Sequence, residues 1–366
     1  MSTTTFAPIP VGTVLNKDII LTHTPTALPK GIVTIHYPAR LEAMALDPSK
    51  VAEREDRIYE AGQIDLTVSI YKHVTIRIIQ GEGEIIISNS TPRQALVRHA
   101  AEVMKQTLGF KQSIAIKMSE DLSLRHCGLG SSSGSIAAVA SAINELFSRP
   151  LSPAAISQLC AQNHGEEIDN DTNHIIPVQC LGGSVVSGNY DGGLLVLAGR
   201  AIPIFTMNIP STLSVVVGIP NDFTHPDSSQ LMQQEAENMD GFIETGEMYA
   251  QTIAYALVHS VLPELAHGSL KACKELVYQY RWNMGSIRNC SFVLPRINDI
   301  AETLRKYQHD PDIALFSLSS VGPGFFALTV NPEKVTEDFE ALNMQTITTR
   351  VHNGTYAIGD YYNETK

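Results

Sequence analysis

The sequence predicts an α+β protein of two domains, and three observations lead there. The chain has 366 residues, 43% hydrophobic and 17% charged, which is enough apolar material for a substantial core and too little charge for a disordered chain. Apolar-alternating segments mix with helical segments without strict alternation, which argues for mixed layers and against a doubly wound parallel sheet. A glycine- and serine-rich stretch, Arg125-His126-Cys127-Gly128-Leu129-Gly130-Ser131-Ser132-Ser133-Gly134-Ser135, joins a strand-like segment to a long helix of small residues.

Residues 1–30, with prolines at 8, 10, 25 and 29, read as an irregular arm. Gly31 to His36 reads as a strand that ends at Tyr37-Pro38-Ala39-Arg40-Leu41. The charged stretch 47–60 is expected to be a solvated loop or short helix. Strands follow at about 64–70, 73–79 and 84–88, with Gly81 and Gly83 marking a hairpin turn. Ser90-Thr91-Pro92 is expected to cap a helix reaching about residue 108. Ser113 to Met118 alternates like a half-buried strand, and Ile136 to Phe147 lacks proline and is apolar on most sides, a good helix.

Ser152-Pro153 caps a further helix ending near Asn163. Strands are expected at 193–197 and 213–219, with the domain change near residue 210, so that 31–210 and 211–366 form the two domains. Residues 228–281 read as mainly helical and broken near Pro263, with another helix at about 295–307. Strands at 313–318 and 325–330 flank Ser319-Ser320-Val321-Gly322-Pro323-Gly324, read as either a tight hairpin or a second wall of a phosphate site. A helix at about 333–342 and a hairpin turning at Asn353-Gly354 complete the chain.

The balance of 26 basic against 38 acidic residues, a net charge of −12, excludes a broad basic surface for nucleic acid. An anionic substrate must then be held locally, by amides, a metal ion and a few arginines. The five cysteines form no CxxC and lie mostly in apolar runs, which predicts reduced, buried thiols and a cytoplasmic location; Cys127 reads as a packing thiol. The N-terminus lacks a basic region followed by an apolar core, and no stretch is long and apolar enough to span a bilayer.

The helix that starts on Gly128 to Gly134 leaves its first amides unpaired and outward-facing. With the helix dipole and the serine hydroxyls they offer a place for a phosphate group. No Gly-Lys-Ser/Thr follows, so this is not a Walker A loop. The alternative is a serine-rich cap on a buried helix. Further on, Glu166, Glu167, Asp169 and Asp171 fall within six positions. Carboxylates this close need solvent or a cation, so the segment is either a solvated loop or the source of a Mg²⁺ ligand, Glu167 or Asp171, and a general base.

Three segments together carry a resemblance. Pro38-Ala39-Arg40-Leu41, Gly128-Leu129-Gly130-Ser131-Ser132-Ser133-Gly134 and Ser319-Ser320-Val321-Gly322-Pro323-Gly324 resemble, in order, the three motifs of the GHMP kinase superfamily (galacto-, homoserine, mevalonate and phosphomevalonate kinases), across roughly residues 31–330. The resemblance implies an N-terminal domain with the phosphate loop, a C-terminal ferredoxin-like domain, and a site between them.

Within that superfamily the chain is similar to the branch of β-ribofuranosylaminobenzene 5'-phosphate synthase and related C-riboside synthases. Arg40-Leu41, Gly62 to Val68, His126 to Ser131, Leu262 to Leu270 and Ser319 to Pro323 all resemble segments of that branch. Gln63 and Asp65 replace glycines, Leu41-Glu42 lacks a histidine, and Ser132-Ser133-Gly134 is closer to the kinase form.

The branch implies transfer of ribose 5-phosphate from phosphoribosyl pyrophosphate to a ring carbon of a small aromatic acid, with loss of pyrophosphate and carbon dioxide and with Mg²⁺ as cofactor. Arg40, His126 and Asp169 would be catalytic, and Arg125, the Gly128–Gly134 loop, Ser319, Ser320 and Gly322 would bind the donor. The kinase alternative, homoserine-kinase-like, has ATP on the same loop, with Asp169 or Asp171 orienting an acceptor hydroxyl. A homodimer is compatible with either.

Overall fold

A computed structural model describes residues 7–15, 29–51, 61–178, 180–224 and 227–359. The arm of residues 1–30 and the charged stretch 47–60 therefore lie partly outside the described residues. Two arm residues form β1 (Ile9–Pro10). The main sheet is built on β2 (Ile32–Ala45) and β3 (Gln63–Ile79), antiparallel neighbours along nearly their whole length.

β2 does not stop at Pro38. Its register with β3 shifts between Pro38 and Ala39, and at such a bulge a proline removes no needed ladder bond. The two strands expected at 64–70 and 73–79 are one continuous strand across that shift. The shift also divides the burial. Val33, Ile35, Tyr37, Val74 and Ile76 enter one core, whereas Leu41, Ala43, Ile64, Leu66 and Val68 enter a second.

β4 (Ile85–Ile87) pairs with β5 (Ser113–Glu120) in parallel, and β5 pairs with β3. The glycines at 81 and 83 thus lead away from β3 and make no hairpin. The helix between these strands is α1 (Gln94–Leu108), and its N-cap is Arg93 in the left-handed region at φ 53°, not the serine expected.

α2 (Ser131–Leu146) is buried almost throughout, because its glycine, serine and alanine side chains let it lie close against the sheet. α3 (Pro153–Gln162) starts at Ser152, whose side chain accepts from the Ala155 amide as expected. The acidic segment is ordered, as a hairpin of β6 (Gly165–Ile168) and β7 (Asp171–Pro177) that joins β1 in a three-stranded sheet. A short helix, α4 (Gly183–Val186), precedes β8 (Leu194–Ala198), which pairs with β3, and β9 (Ile202–Met207), which pairs with β8.

A second large sheet starts at β10 (Ser214–Pro220). With β11 (Ile313–Leu318), β12 (Phe325–Thr329) and β13 (Met344–Arg350) it forms an antiparallel sheet of order β11-β12-β10-β13. Between β10 and β11 run α5 (Ser228–Glu237), α6 (Met239–Ala256), α7 (Leu262–Ala266), α8 (Lys271–Tyr278), α9 (Ser286–Asn289) and α10 (Ile297–Leu304). α6 passes through a π turn into α7, where Pro263 falls in the first turn and breaks nothing. α11 (Pro332–Ala341) lies between β12 and β13. The last strand, β14 (Ala357–Gly359), returns to the main sheet beside β2, so Asn353-Gly354 links two sheets and is not a hairpin turn. This mixed architecture bears out the α+β expectation. No helix among the described residues is long and apolar enough to cross a membrane, and the five cysteines are free thiols.

Arg281 stitches the second sheet to the first. Its side chain is fully buried and donates to Ala43 O (2.9 Å), Ser317 Oγ (2.9 Å), Ser286 Oγ (3.1 Å) and Ser320 O (3.1 Å). Removing the guanidinium strands several buried acceptors at once. R281M is expected to lower the free energy of unfolding by about 3 kcal/mol or more, read by urea titration.

Candidate active site

The glycine-serine stretch opens α2. Gly128 and Gly130 sit at φ 80° and 61°, a region that side chains with a Cβ rarely adopt. The first bond of the helix runs from Gly134 N to Gly130 O at 2.9 Å, so the amides of Ser131, Ser132 and Ser133 have no acceptor within the helix. Ser319 fixes the entry. Its hydroxyl donates to Gly128 O at 2.6 Å and accepts from Glu42 N at 3.0 Å.

A chain of side chains then sets the serines. Arg93, buried behind the loop, donates from Nη1 to Ser132 Oγ (2.6 Å) and from Nη2 to Ser131 Oγ (2.7 Å). Ser132 passes its own proton toward Glu166 Oε2 at 2.6 Å, and His164 Nε2 lies 3.7 Å from the other oxygen of that carboxylate. Burial alone would raise the Glu166 pKa. The nearby His164, helped by His126 and Arg93, instead holds it down at about 2, so the carboxylate is ionised at neutral pH.

These groups border a cavity of about 240 Å³ between the two sheets. Gly128, Gly130, Ser131, Ser132 and Ser133 form one wall, with His126, His164 and Glu166 beside them. Arg40, Glu42, Gly183 and Ser184 form the floor, and Ser320, Gly322, Arg281 and Glu235 close the far side. Arg40 is held by Gly128 O (3.4 Å from Nη1) and by the Glu42 carboxylate (3.5 Å from Nη2), with Asp65 3.9 Å from Nε. Burial, then the charges of Glu166 and Glu42, push Glu235 up to about 7. Asp65, fully buried, is also pushed up to about 7, by burial against the opposing charge of Arg40. Cys127 borders the cavity, but burial raises its thiol to about 11, which keeps it protonated and a poor nucleophile.

The expected site residues divide into three groups. Arg40, His126, Gly128, Gly130, Ser131, Ser132, Ser133, Ser320 and Gly322 all border the cavity. Leu129 is in the apolar core, Gly134 lies inside α2 against Lys72, and Ser319 is buried in its clamp, so these three shape the loop from behind. The remainder stand aside. Arg125 Nη1 is 2.9 Å from Glu167 and 3.7 Å from Asp169, at the outer end of the β6–β7 hairpin. Asp171 accepts from the amides of Asn173 and His174 and from the His174 ring, bonds that close its own turn and hold its pKa down.

The carboxylate the structure brings to Ser132 is Glu166, the neighbour of the expected Glu167. Glu167 stays close by, its Oε1 3.8 Å from the Arg93 Nη1 that donates to Ser132. Arg93, Ser184, Glu235 and Arg281 escaped sequence reasoning because no local pattern marks them, while Glu42, Asp65 and His164 lay in segments that were read without being given a role.

Among the described residues no three or more His, Cys, Asp or Glu side chains converge as a metal cage. Glu166, beside the Ser132 hydroxyl and the loop amides, instead suits Mg²⁺, which keeps water and phosphate oxygens in its shell.

Residues 95–183 match the family model of the GHMP kinases N terminal domain. The chain carries the GHMP kinase fold. Homoserine kinase from Cytophaga hutchinsonii superimposes with a TM-score of 0.56 at 15% identity, covering 91% of this chain and 98% of that one. Mevalonate pyrophosphate decarboxylase from Streptococcus pyogenes gives 0.62 at 14% identity, covering 90% and 99%. A complex described as MDDEF with MVAPP, AMPPCP and magnesium gives 0.59 at 15% identity, covering 90% and 100%. No curated protein sequence matches the chain. The domain match and these neighbours support the GHMP kinase superfamily.

Two outcomes follow from this geometry. R93Q, which removes the shared donor of Ser131 and Ser132, is expected to weaken binding of magnesium pyrophosphate about 10-fold by calorimetry, the equivalent of about 1.4 kcal/mol. The second concerns pH. An unfolded aspartate titrates near about pH 3.9, whereas Asp65 holds its proton to about pH 7 when folded. The native state therefore binds more protons across that window, and its stability falls as pH rises through it. The fall in melting temperature between about pH 5 and 7.5 should shrink in D65N. Glu166 acts in the opposite sense, its contribution present above about pH 4.3 and lost as pH falls toward its folded value.

Proposed function

We propose that the protein is a Mg²⁺- and ATP-dependent phosphotransferase acting on a small-molecule hydroxyl. The observation that carries this reading is the opening of the unpaired Ser131–Ser133 amides onto the cavity, beside the Ser132–Glu166 pair. Amides at the positive end of a long helix bind phosphate oxygens without reorganisation, and they gain most where charge builds on the leaving diphosphate. Glu166 and Ser132 would hold Mg²⁺, which would neutralise the phosphate oxygens when bound. Arg93 keeps both serine hydroxyls in place. Arg40, projecting from the floor beside Gly128, adds positive charge where the transferred group passes. The GHMP domain match and the homoserine kinase neighbour favour the same reading.

A second reading keeps the donor loop and changes the donor. Asp169 and Asp171, the expected proton acceptors of a kinase, do not border the cavity, while Arg40 does. This favours ribosyl transfer from phosphoribosyl pyrophosphate to an aromatic acid, in which pyrophosphate and carbon dioxide leave. Phosphorus NMR of the protein with Mg²⁺ and either donor separates the two. ADP formation with a panel of small alcohols, and an intact ribosyl donor, is the expected result. Release of pyrophosphate that depends on an added aromatic acid would replace the first reading with the second.

A further inference from the structure

The hairpin that carries Glu166 to the phosphate loop takes its outer strand neighbour from the N-terminal arm. Among the described residues β6 and β7 pair with each other and β7 with β1, and these three strands share no ladder with the two larger sheets. Ile9 lies opposite Ile175 and Pro10 opposite His174, while Ile175 and Ile176 lie opposite Glu167 and Glu166. Val11 N donates to Asn173 O at 2.8 Å and continues the arm's attachment past the strand. Ile9, Val11 and Val14 pack against the apolar core that also includes Ile175.

A second attachment runs through a histidine. His99, on α1, is fully buried, with Nε2 2.7 Å from Asn163 O and Nδ1 3.0 Å from Gly12 N. A carbonyl can only accept and an amide can only donate, so Nε2 carries the ring proton and Nδ1 is the acceptor. Burial pushes the His99 pKa down to about 4, which keeps the ring neutral and in that tautomer at neutral pH. The arm closes on the same place. Asn163 Oδ1 accepts from Leu15 N at 2.7 Å, and Gln106 Nε2 donates to Gly12 O at 2.7 Å. Gly12 sits at φ 81°, and a Cβ there would come 2.7 Å from Glu102 Cβ, so the turn that brings its amide to His99 requires glycine.

The segment held at these two points is the one that faces the donor loop. Asn163 leads directly into His164 and then Glu166, whose Oε2 accepts from Ser132 at 2.6 Å while Oε1 lies 3.7 Å from His164 Nε2. We propose that residues 9–15 clamp segment 163–166 and so set Glu166 for magnesium, with His99 as the positioning residue that joins arm to segment. The proposal rests on the phosphotransferase reading in one respect, that Glu166 holds the metal. His99 lies outside the cavity lining and acts through the backbone it holds.

Magnesium demands near-octahedral geometry at short bond lengths, so a carboxylate displaced by about 1 Å loses much of its hold on the metal. Without His99 the Gly12 amide and the Asn163 carbonyl lose a buried partner each, and the chain ahead of β6 is freed to relax. Neither bond touches the glycine loop, whose entry is fixed from the other side by Ser319. The two halves of donor binding therefore separate. Loosening the clamp weakens the part that depends on the metal and spares the part that depends on the loop amides.

The test uses full chains of wild type, H99F, G12V and E166Q, with H99F and G12V also combined with E166Q. Calorimetry with pyrophosphate, in Mg²⁺ or in EDTA, separates metal-dependent binding from binding to the amides. H99F and G12V are each expected to weaken binding about 10-fold in Mg²⁺ and by less than about 2-fold in EDTA. Added to E166Q, either change should cost less than about 2-fold in Mg²⁺, because the group it positions is gone. G12V alters the arm alone and carries the test if H99F does not fold. A folded H99F or G12V with wild-type affinity in Mg²⁺ overturns the proposal and leaves the donor reading standing. A loss of equal size in EDTA or in the E166Q background, the result of a strap that only stabilises the fold, overturns it too. Wild type that binds pyrophosphate equally with and without Mg²⁺ removes Glu166 as a metal ligand, and the clamp with it. Failure of wild type to bind pyrophosphate under either condition removes the phosphotransferase reading itself.

Discussion

One hydroxyl holds the site together. Ser319 Oγ binds the Gly128 carbonyl and the Glu42 amide at once, so a turn of the second sheet, the phosphate loop and the long strand β2 meet at one atom. Gly128 cannot carry a side chain there, because a Cβ would lie 2.6 Å from the Ser319 carbonyl oxygen. Neighbouring bonds reinforce the junction. Ser317 Oγ donates to Ala43 O at 2.6 Å, and Arg281 bridges β2 to both Ser317 and Ser320. With its entry fixed this way, the loop presents its amides in a set direction, and a fixed dipole needs no reorganisation when charge develops in front of it.

The electrostatics are local and paired. The chain carries a net charge of −12, yet the cavity walls hold Arg40, Arg281, His126 and His164 against Glu42, Glu166 and Glu235. Behind the loop, Arg93 and Lys72 are buried with Glu167 and Glu120 as partners at 3.8 and 2.9 Å. A polyphosphate bound at the loop would meet cations already oriented by carboxylates, which keeps the positive charge beside the amides rather than spread over the surface.

Much of the fold was legible in the sequence, and the errors share a cause. Alternation located β5 and short apolar runs located β10, β11 and β12 closely, and the serine before Pro153 does cap α3. The misreadings arose where pairing partners decide the geometry. Pro38 looked like a strand end, but β3 lies alongside and a register shift accommodates it. Gly81 to Gly83 and Asn353-Gly354 looked like hairpin turns, but their flanking strands pair with other partners. Turn chemistry specifies a local bend; which strand lies beside which is settled by the cores on either side.

The sequence by itself determined that a glycine-serine loop opens a buried helix and that its amides face outward, since both depend only on backbone freedom and helix geometry. It also pointed to Arg40, which borders the cavity, and to the Ser319 turn, which bonds the loop. Only the tertiary structure decided which carboxylate meets Ser132, and that Arg93, separated from it by 39 residues, holds that serine. It alone decided that Asp65 lies behind Arg40, with its Oδ1 3.9 Å from the guanidinium Nε. Such juxtapositions depend on the register of strands far apart in the chain, and no short window of residues encodes that.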